Sequence, residues 1–404
     1  MTRRQVAISG VGWITSLGSG STEVWESLLR GVSKVGPLTR FDASELPSRI
    51  ASEVHGHSDT PGRRTERFVS FALAAARDAI IDAGLTVESM AGERSAVVLG
   101  TAYGGIARVE QESGRLARHL GSVPPQVSMT AAPTSAAASV AIAYGVTGGI
   151  ECPNAACASG AAAVVRAHEL VANGRVDVVL AGGTDAAISP LPMRAFCAAR
   201  ALSRRNTEPI RASRPFDRGR DGFVFGEGSA ILVVEALDRL VARRGRPVAL
   251  LSGTGHSSDA YHLGTPDPEG GGASRSMRAA LTDADSAPGE VGLVSAHAAS
   301  TPLGDRAEAA AIRTVFSDRS PPTMALKSMT GHLLGASGAF EAAATALAVQ
   351  QQRIPPTLNV EDLDPACDLD IVSGAARDAP IDVALTNSIG LGGINYTLAF
   401  TRAA

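Results

Sequence analysis

The segment Glu151–Val165 reads ECPNAACASGAAAVV, and its spelling decides the architecture around it. Small residues surround Cys157, and an unbroken Ala/Val run begins almost immediately after it, which predicts a tight strand–turn–helix junction. Such a junction exposes its central side chain. A helix N-terminus also offers free backbone N–H groups and a partial positive charge. Both features favour a thiolate at Cys157, each unit of pKa lowering being worth about 1.4 kcal/mol. Free cysteines most often pack as small hydrophobes, so Cys157 alone does not decide between nucleophile and filler, and Cys152 has the weaker claim.

Outward from this junction, short β-branched runs alternate with Ala-rich helical stretches. Gln5–Ser9, Ala96–Leu99, Val176–Leu180, Ala230–Val234, Gly292–Ser295 and Val383–Leu385 read as buried strands. Phe68–Asp82, Ala161–Asn173, Ser274–Asp283, Asp305–Phe316 and Ala339–Gln351 read as helices. Apolar runs without alternation, separated by helices, indicate an α/β protein with sheets covered on both faces. Gly245–Gly255 is the expected boundary between two βα halves, 1–244 and 245–404, although no sequence repeat is evident by eye.

The chain has 404 residues, 45% hydrophobic, with a formal net charge of −3. That is ample for a large core and carries no basic excess of the kind a nucleic-acid binder shows. The four cysteines form no CxxC pair or framework, as expected of reduced thiols in a cytoplasmic protein. The N-terminal apolar stretch is broken by Ser9, Gly10 and Gly12, so it reads as a first core strand followed by a turn rather than a signal peptide. No run of about 18 apolar residues suggests a membrane span.

Three further blocks carry chemistry. Val294–Glu308 (VSAHAASTPLGDRAE) places His297 at the exit of an apolar strand, ahead of a helix bearing Glu308. Leu326–Gly338 (LKSMTGHLLGASG) holds Lys327 and His332 in a Gly/Ser-rich loop, and Asn387–Tyr396 (NSIGLGGINY) is a glycine-dense turn. Of 37 basic residues only Lys34 and Lys327 are lysines, which makes Lys327 conspicuous. A metal site is the competing use of these groups, but no HExxH or HxxxH spacing occurs. The glycines match neither GxGxxG after a first strand nor GxxxxGKS, so phosphate cradling is not expected.

Together these blocks resemble the β-ketoacyl-ACP synthase (ketosynthase) family over nearly the whole chain. ACASG is similar to its nucleophile motif, SAHAASTPLGD and KSMTGHLLGASG to its two histidine motifs, and NSIGLGG to its gate loop. The resemblance implies a thiolase fold, an α/β body of two pseudo-symmetric halves in five α/β/α/β/α layers. It implies that Cys157 takes an acyl group from a carrier-protein phosphopantetheine thioester. His297 and His332 would hold a malonyl thioester carbonyl and stabilise the enolate formed as CO2 leaves. The N–H groups of Cys157 and Leu391 would form the oxyanion hole, Lys327 and Glu308 an ion-paired support, and Phe223 a wall near the departing carboxylate. Gly390 and Gly392 would let the gate move. No metal or organic cofactor is implied beyond the carrier's pantetheine arm.

Departures from the family pattern narrow the expectation. Ala298-Ala299 replaces the usual Gly-Thr, removing a hydroxyl that contacts pantetheine, while Thr301 keeps a second one. Ile389 and Leu391 stand where the gate normally has phenylalanines, and Tyr103 falls where the acyl pocket is lined. These changes favour the ketosynthase subunit of a type II polyketide synthase, paired with a chain-length factor or acting as a homodimer. The alternatives are a fatty-acid-elongating 3-oxoacyl-ACP synthase II and a non-condensing acyltransferase. A chain-length factor would lack the cysteine, and a thiolase would need a second one in a CxG context that Cys367 does not have. Arg63, Arg64 and Arg205 align with the family's docking region for the acidic acyl carrier protein.

Overall fold

The computed structural model describes residues 3–57, 65–119, 121–317 and 319–403. Its main sheet runs through β1 (Val6–Thr15), β2 (Ser95–Gly100), β3 (Ile150–Glu151), β4 (Val178–Asp185), β5 (Gly228–Ala236), β6 (Ala249–Ser258), β7 (Val291–Ser295), β8 (Thr323–Met324), β9 (Val383–Gly390) and β10 (Ile394–Thr401). The strand order is β8-β7-β9-β10-β6-β1-β5-β4-β2-β3. Read outward from the centre, β1-β5-β4-β2-β3 and β6-β10-β9-β7-β8 follow one pattern. In each, the first three neighbours pair antiparallel and the last three pair parallel. The two sets join where β1 meets β6, at Ala7↔Leu250 and Ile8↔Ala249.

The helices that cover them are α1 (Arg67–Asp82), α2 (Ser135–Tyr144), α3 (Ser159–Ala172), α4 (Gly271–Asp283), α5 (Pro302–Phe316) and α6 (Ser337–Gln351). The central pair, α3 and α6, packs against strands of both sets, while α1 and α2 cover the outer face of one and α4 and α5 that of the other. The result is five α/β/α/β/α layers. Helix α6 is buried from Ser337 to Val349, which explains its run of alanines. A middle-layer helix has no solvent face, and small side chains let its backbone approach sheets on both sides.

The expected turn after Ser9 does not form: β1 continues through Gly10 and Gly12 to Thr15. The two glycines serve close packing instead. A Cβ on Gly12 would lie 2.1 Å from the Ala75 carbonyl oxygen of α1, and one on Gly10 would lie 2.5 Å from that of Ala79. Strand β6 repeats the device, Gly253 and Gly255 lying under the Ala280 and Ser276 carbonyls of α4 at 2.4 and 2.0 Å. In each strand the register shifts just before the motif. The Val11 N–H then donates to Asp82 and the Thr254 N–H to Asp283, the last residues of their helices. Ser9-Gly10-Val11-Gly12 and Ser252-Gly253-Thr254-Gly255 are therefore equivalent, a repeat too short to stand out in the sequence.

The parallel strands direct their C-terminal ends to one side, where the loops after β2, β4, β7, β8 and β9 gather, the usual place for ligands in α/β sheets. Among the described residues no helix is long and apolar enough to cross a membrane.

Candidate active site

Cys157 lies in a turn held by local hydrogen bonds. The Ser159 hydroxyl accepts the Ala155 N–H at 2.9 Å and donates to the Ala156 carbonyl at 2.6 Å. Ala156 is driven to φ 50°, a left-handed conformation costly for a residue with a Cβ. This strained elbow aims Cys157 into a cleft of about 400 Å³, which is also lined by His297, His332, Phe223, Thr301, Ile389, Gly390, Leu391 and Gly392. The expected thiolate is not favoured at rest, because burial outweighs the groups that would stabilise it. Burial pushes the thiol up to about 11, against the opposing influence of Lys327 and of the Leu391 and Cys157 N–H groups, with Asp185 adding to the rise.

The two histidines meet edge to face, ring centroids 5.3 Å apart at 84°. Their tautomers follow from their partners. The Leu334 N–H can only donate, and it points at His332 Nδ1 at 3.2 Å; that nitrogen is therefore an acceptor, also for the Ser337 hydroxyl at 2.9 Å. Lys327 Nζ, likewise donor-only, lies 3.3 Å from His297 Nδ1. Both rings thus carry their proton on Nε2. Burial first, and the Lys327 charge next, hold both imidazoles well below their ordinary pKa, so they stay neutral. Two neutral N–H donors beside a thiol can receive an oxygen on which negative charge develops.

Lys327 does not pair with Glu308 as the resemblance implied. Its side chain is 2% exposed, and the ammonium donates to Glu341 on the middle helix α6 and to the His297 carbonyl, both at 2.5 Å. Glu308, on α5, lies instead beneath the His297 turn. It accepts the His297 and Ala298 N–H groups at 2.8 and 2.7 Å and the Asn387 amide at 3.2 Å. Burial raises both carboxyls, that of Glu341 to about 7.

The turn after His297 is strained, with Ala298 at φ 24° and Ser300 at φ 68°. Ala299 faces the cleft without a hydroxyl. Thr301 caps α5 by accepting the Gly304 N–H, leaving its own proton free to donate. Arg220 fixes this turn, donating to the Thr301 and Pro302 carbonyls and pairing with Asp305 and Asp364. Phe223 packs its ring 5.4 Å from His332.

Tyr103 is half-buried against the apolar cluster that Phe196 also joins; it lies near enough to Cys157 to interact with its charge but is not among the residues that line the cleft. Arg205 is engaged by the Gly219 carbonyl and by Glu208, while Arg63 and Arg64 lie outside the described residues. Sequence reading missed Arg200, exposed at the cleft in a left-handed conformation, and Glu341, whose only signal is an acid within an alanine run. It also missed Asp185, which ends β4 in the run VVLAGGTD.

The family model described as "Beta-ketoacyl synthase, N-terminal domain" matches residues 3–239, and "Beta-ketoacyl synthase, C-terminal domain" matches residues 248–361. The 3-oxoacyl-[acyl-carrier-protein] synthase 2 of Synechocystis sp. is 40% identical over 414 residues, covering 100% of this chain and 99% of the relative. That of Coxiella burnetii is 41% identical over 418 residues, with the same coverage. Among solved structures, the ishigamide ketosynthase/chain length factor superposes with a TM-score of 0.93 at 32% identity, covering 100% of both chains. A type II polyketide synthase ketosynthase, bound to its acyl-carrier protein and a hexaketide, gives the same values. A β-ketoacyl synthase from Burkholderia phymatum superposes with a TM-score of 0.92 at 33% identity, over 99% of this chain and 100% of that one.

Proposed function

Because this chain belongs to the β-ketoacyl synthase family, with its thiolase fold and acyltransferase chemistry, we propose that it is the condensing ketosynthase of a type II polyketide pathway. The observation that carries this reading is the convergence of two neutral Nε2–H donors on the cleft that holds Cys157. Residues 1–244 supply the nucleophile, and residues 245–404 supply His297, Lys327 and His332.

In the first half-reaction Cys157 Sγ attacks the acyl thioester of a carrier protein. The new C–S bond forms as the pantetheine C–S bond breaks, and the cysteine proton leaves with the pantetheine thiol. The N–H groups of Cys157 and Leu391 stabilise the tetrahedral oxyanion. In the second half-reaction the malonyl thioester carbonyl oxygen accepts from His297 and His332 Nε2–H. Loss of CO2 leaves its bonding electrons in an enolate held by those donors, and Phe223 keeps water from the departing carboxylate. The enolate carbon attacks the acyl-Cys157 carbonyl, and Cys157 leaves as thiolate and is reprotonated. One such donor is worth about 10²–10³ in kcat. The pantetheine arm belongs to the substrate, and no other cofactor enters these steps.

The replaced gate residues Ile389 and Leu391, the missing hydroxyl at Ala299 and the bulk of Tyr103 support a specialised synthase rather than a housekeeping fatty-acid enzyme. Likeness to ketosynthases solved with a chain-length factor and with a carrier protein supports those partners, in a heterodimer or a homodimer working in the cytoplasm. Arg200 at the rim supplies positive charge for an acidic carrier. Fatty-acid elongation is the second reading, favoured by the relatives named 3-oxoacyl-[acyl-carrier-protein] synthase 2.

Incubation with acyl- and malonyl-carrier proteins, with and without a chain-length-factor partner, tests both readings by mass spectrometry. A β-ketoacyl product lost in Cys157→Ala supports condensation, and dependence on the partner supports the polyketide reading. Acylated Cys157 beside intact malonyl carrier refutes condensation of those substrates.

A further inference from the structure

Asp185 ends β4 with its side chain fully buried, and its carboxylate accepts hydrogen bonds from two loops, the one that follows β2 and the one that carries His332. Oδ1 accepts from the Thr101 hydroxyl at 2.8 Å and the Tyr103 N–H at 3.1 Å. Oδ2 accepts from the Ala102 N–H at 2.8 Å and the Gly335 N–H at 2.7 Å. Residues 101–103 follow β2 and carry Tyr103, whereas Gly335 lies three residues beyond His332 and opens the approach to α6. One carboxylate therefore ties the acyl-side loop of one strand set to the histidine loop of the other. The same junction is pinned by backbone contact: a Cβ on Gly160 of α3 would lie 2.8 Å from the Gly335 carbonyl, and one on Gly335 would lie 2.5 Å from Asp185 Oδ2 and the Ala102 nitrogen.

We propose that Asp185 is a positioning residue that sets His332 against Cys157 and Tyr103 by clamping both loops through one buried carboxylate. The assignment rests on the condensing reading for its catalytic consequence but not for its geometry. Each carboxylate oxygen receives two donors, so the charge and both oxygens are used. Asparagine offers one acceptor oxygen and turns an NH2 group toward two N–H or O–H donors, which splits the clamp. A displacement on the order of 1 Å at a reacting group costs about 10²-fold in rate.

The charge also reaches Cys157. The titratable groups around that thiol are Lys327, Asp185 and Tyr103, with His297 and His332 on the same cleft; Asp185 opposes the thiolate and Lys327 favours it. Burial raises the Asp185 carboxyl to about 6, so it is charged above neutrality, and its removal moves thiolate formation to lower pH.

The test is Asp185→Asn, assayed for iodoacetamide alkylation of Cys157 against pH, malonyl-carrier decarboxylation, acyl loading and thermal unfolding. We expect the alkylation midpoint to move to lower pH and decarboxylation kcat to fall by about tenfold or more, with the malonyl-carrier KM within about twofold. A folded variant with unchanged midpoint and unchanged kcat overturns the assignment, as does a loss of kcat with no change in midpoint. If Asp185→Asn does not fold, Gly335→Ala, which forces a methyl into the clamp while keeping the charge, decides. Loss of decarboxylation with acyl loading retained supports the clamp; equal loss of both, or of neither, overturns it. The alkylation profile requires no condensation, so failure of this assignment is distinguishable from failure of the condensing reading.

Discussion

Replacing Lys327 by methionine separates what the buried ion pair does for stability from what it does for the histidines. Lys327 and Glu341 are 2% and 1% exposed, and their charged atoms lie 2.5 Å apart. Breaking such a pair from one side leaves an uncompensated charge and costs about 3–5 kcal/mol, whereas replacing both partners by apolar residues is often neutral. Glu341 Oε2 has no hydrogen-bond partner among the described residues, an existing cost of about 1–3 kcal/mol that the apolar pair removes. Lys327→Met should therefore destabilise by about 3–5 kcal/mol at pH 8, and Lys327→Met with Glu341→Leu should recover most of that loss. The cost in the single variant should shrink at pH 6. Burial raises the Glu341 carboxyl above its unfolded value to about 7 even with Lys327 present. Its protonated form then accumulates in the folded state as pH falls, so this group's contribution to stability drops as pH rises through that range.

Activity should not recover with stability. Without Lys327, no other described residue fixes the proton of His297 on Nε2, and a transition-state donor is compromised at a cost of about 10²–10³ in kcat. Urea unfolding and malonyl-carrier decarboxylation measure the two effects on the same three proteins. A double variant no more stable than the single one refutes the isolated-pair argument. A double variant with kcat within about threefold of the parent, about 0.65 kcal/mol, refutes the tautomer argument.

Other outcomes follow from the same geometry. His332 is held well below its ordinary pKa by burial, so the unfolded chain takes the proton first and this residue's contribution is lost as pH falls below 6.5. The stability gap between the parent and His332→Gln, read by urea titration, should be widest near neutrality and close on acidification; a constant gap contradicts it. Phe223 is 6% exposed and packed on Phe196, Phe225 and His332, so Phe223→Ala should cost about 3–5 kcal/mol and slow decarboxylation more than acyl loading. Equal slowing of both half-reactions in single-turnover assays would contradict that placement. Ala299→Thr restores a hydroxyl to the cleft and should lower the malonyl-carrier KM about 2–10-fold, the worth of one neutral hydrogen bond of about 0.5–1.5 kcal/mol. An unchanged KM would mean that the restored hydroxyl finds no pantetheine partner.

The sequence by itself determined the alternation of strands and helices, the elbow at Cys157 and the two histidine blocks, because each is written in neighbouring residues. Periodicity, small residues at a turn and a strand exit are local signals. The roles of Ile389 to Gly392 came from resemblance, and the fold then set them on the cleft that holds Cys157. What the sequence could not determine were relations across long separations. Glu341 lies 14 residues from Lys327 and Asp185 lies 150 from Gly335, and no local pattern says which carboxylate a buried cation or amide will meet. The middle-layer packing of α3 and α6 decided both. Burial likewise decided protonation: a helix N-terminus favours a thiolate, yet desolvation by the surrounding layers keeps Cys157 a thiol and both histidines neutral. Charge in a protein interior depends on what surrounds a group in space, and that is fixed only once distant segments have packed together.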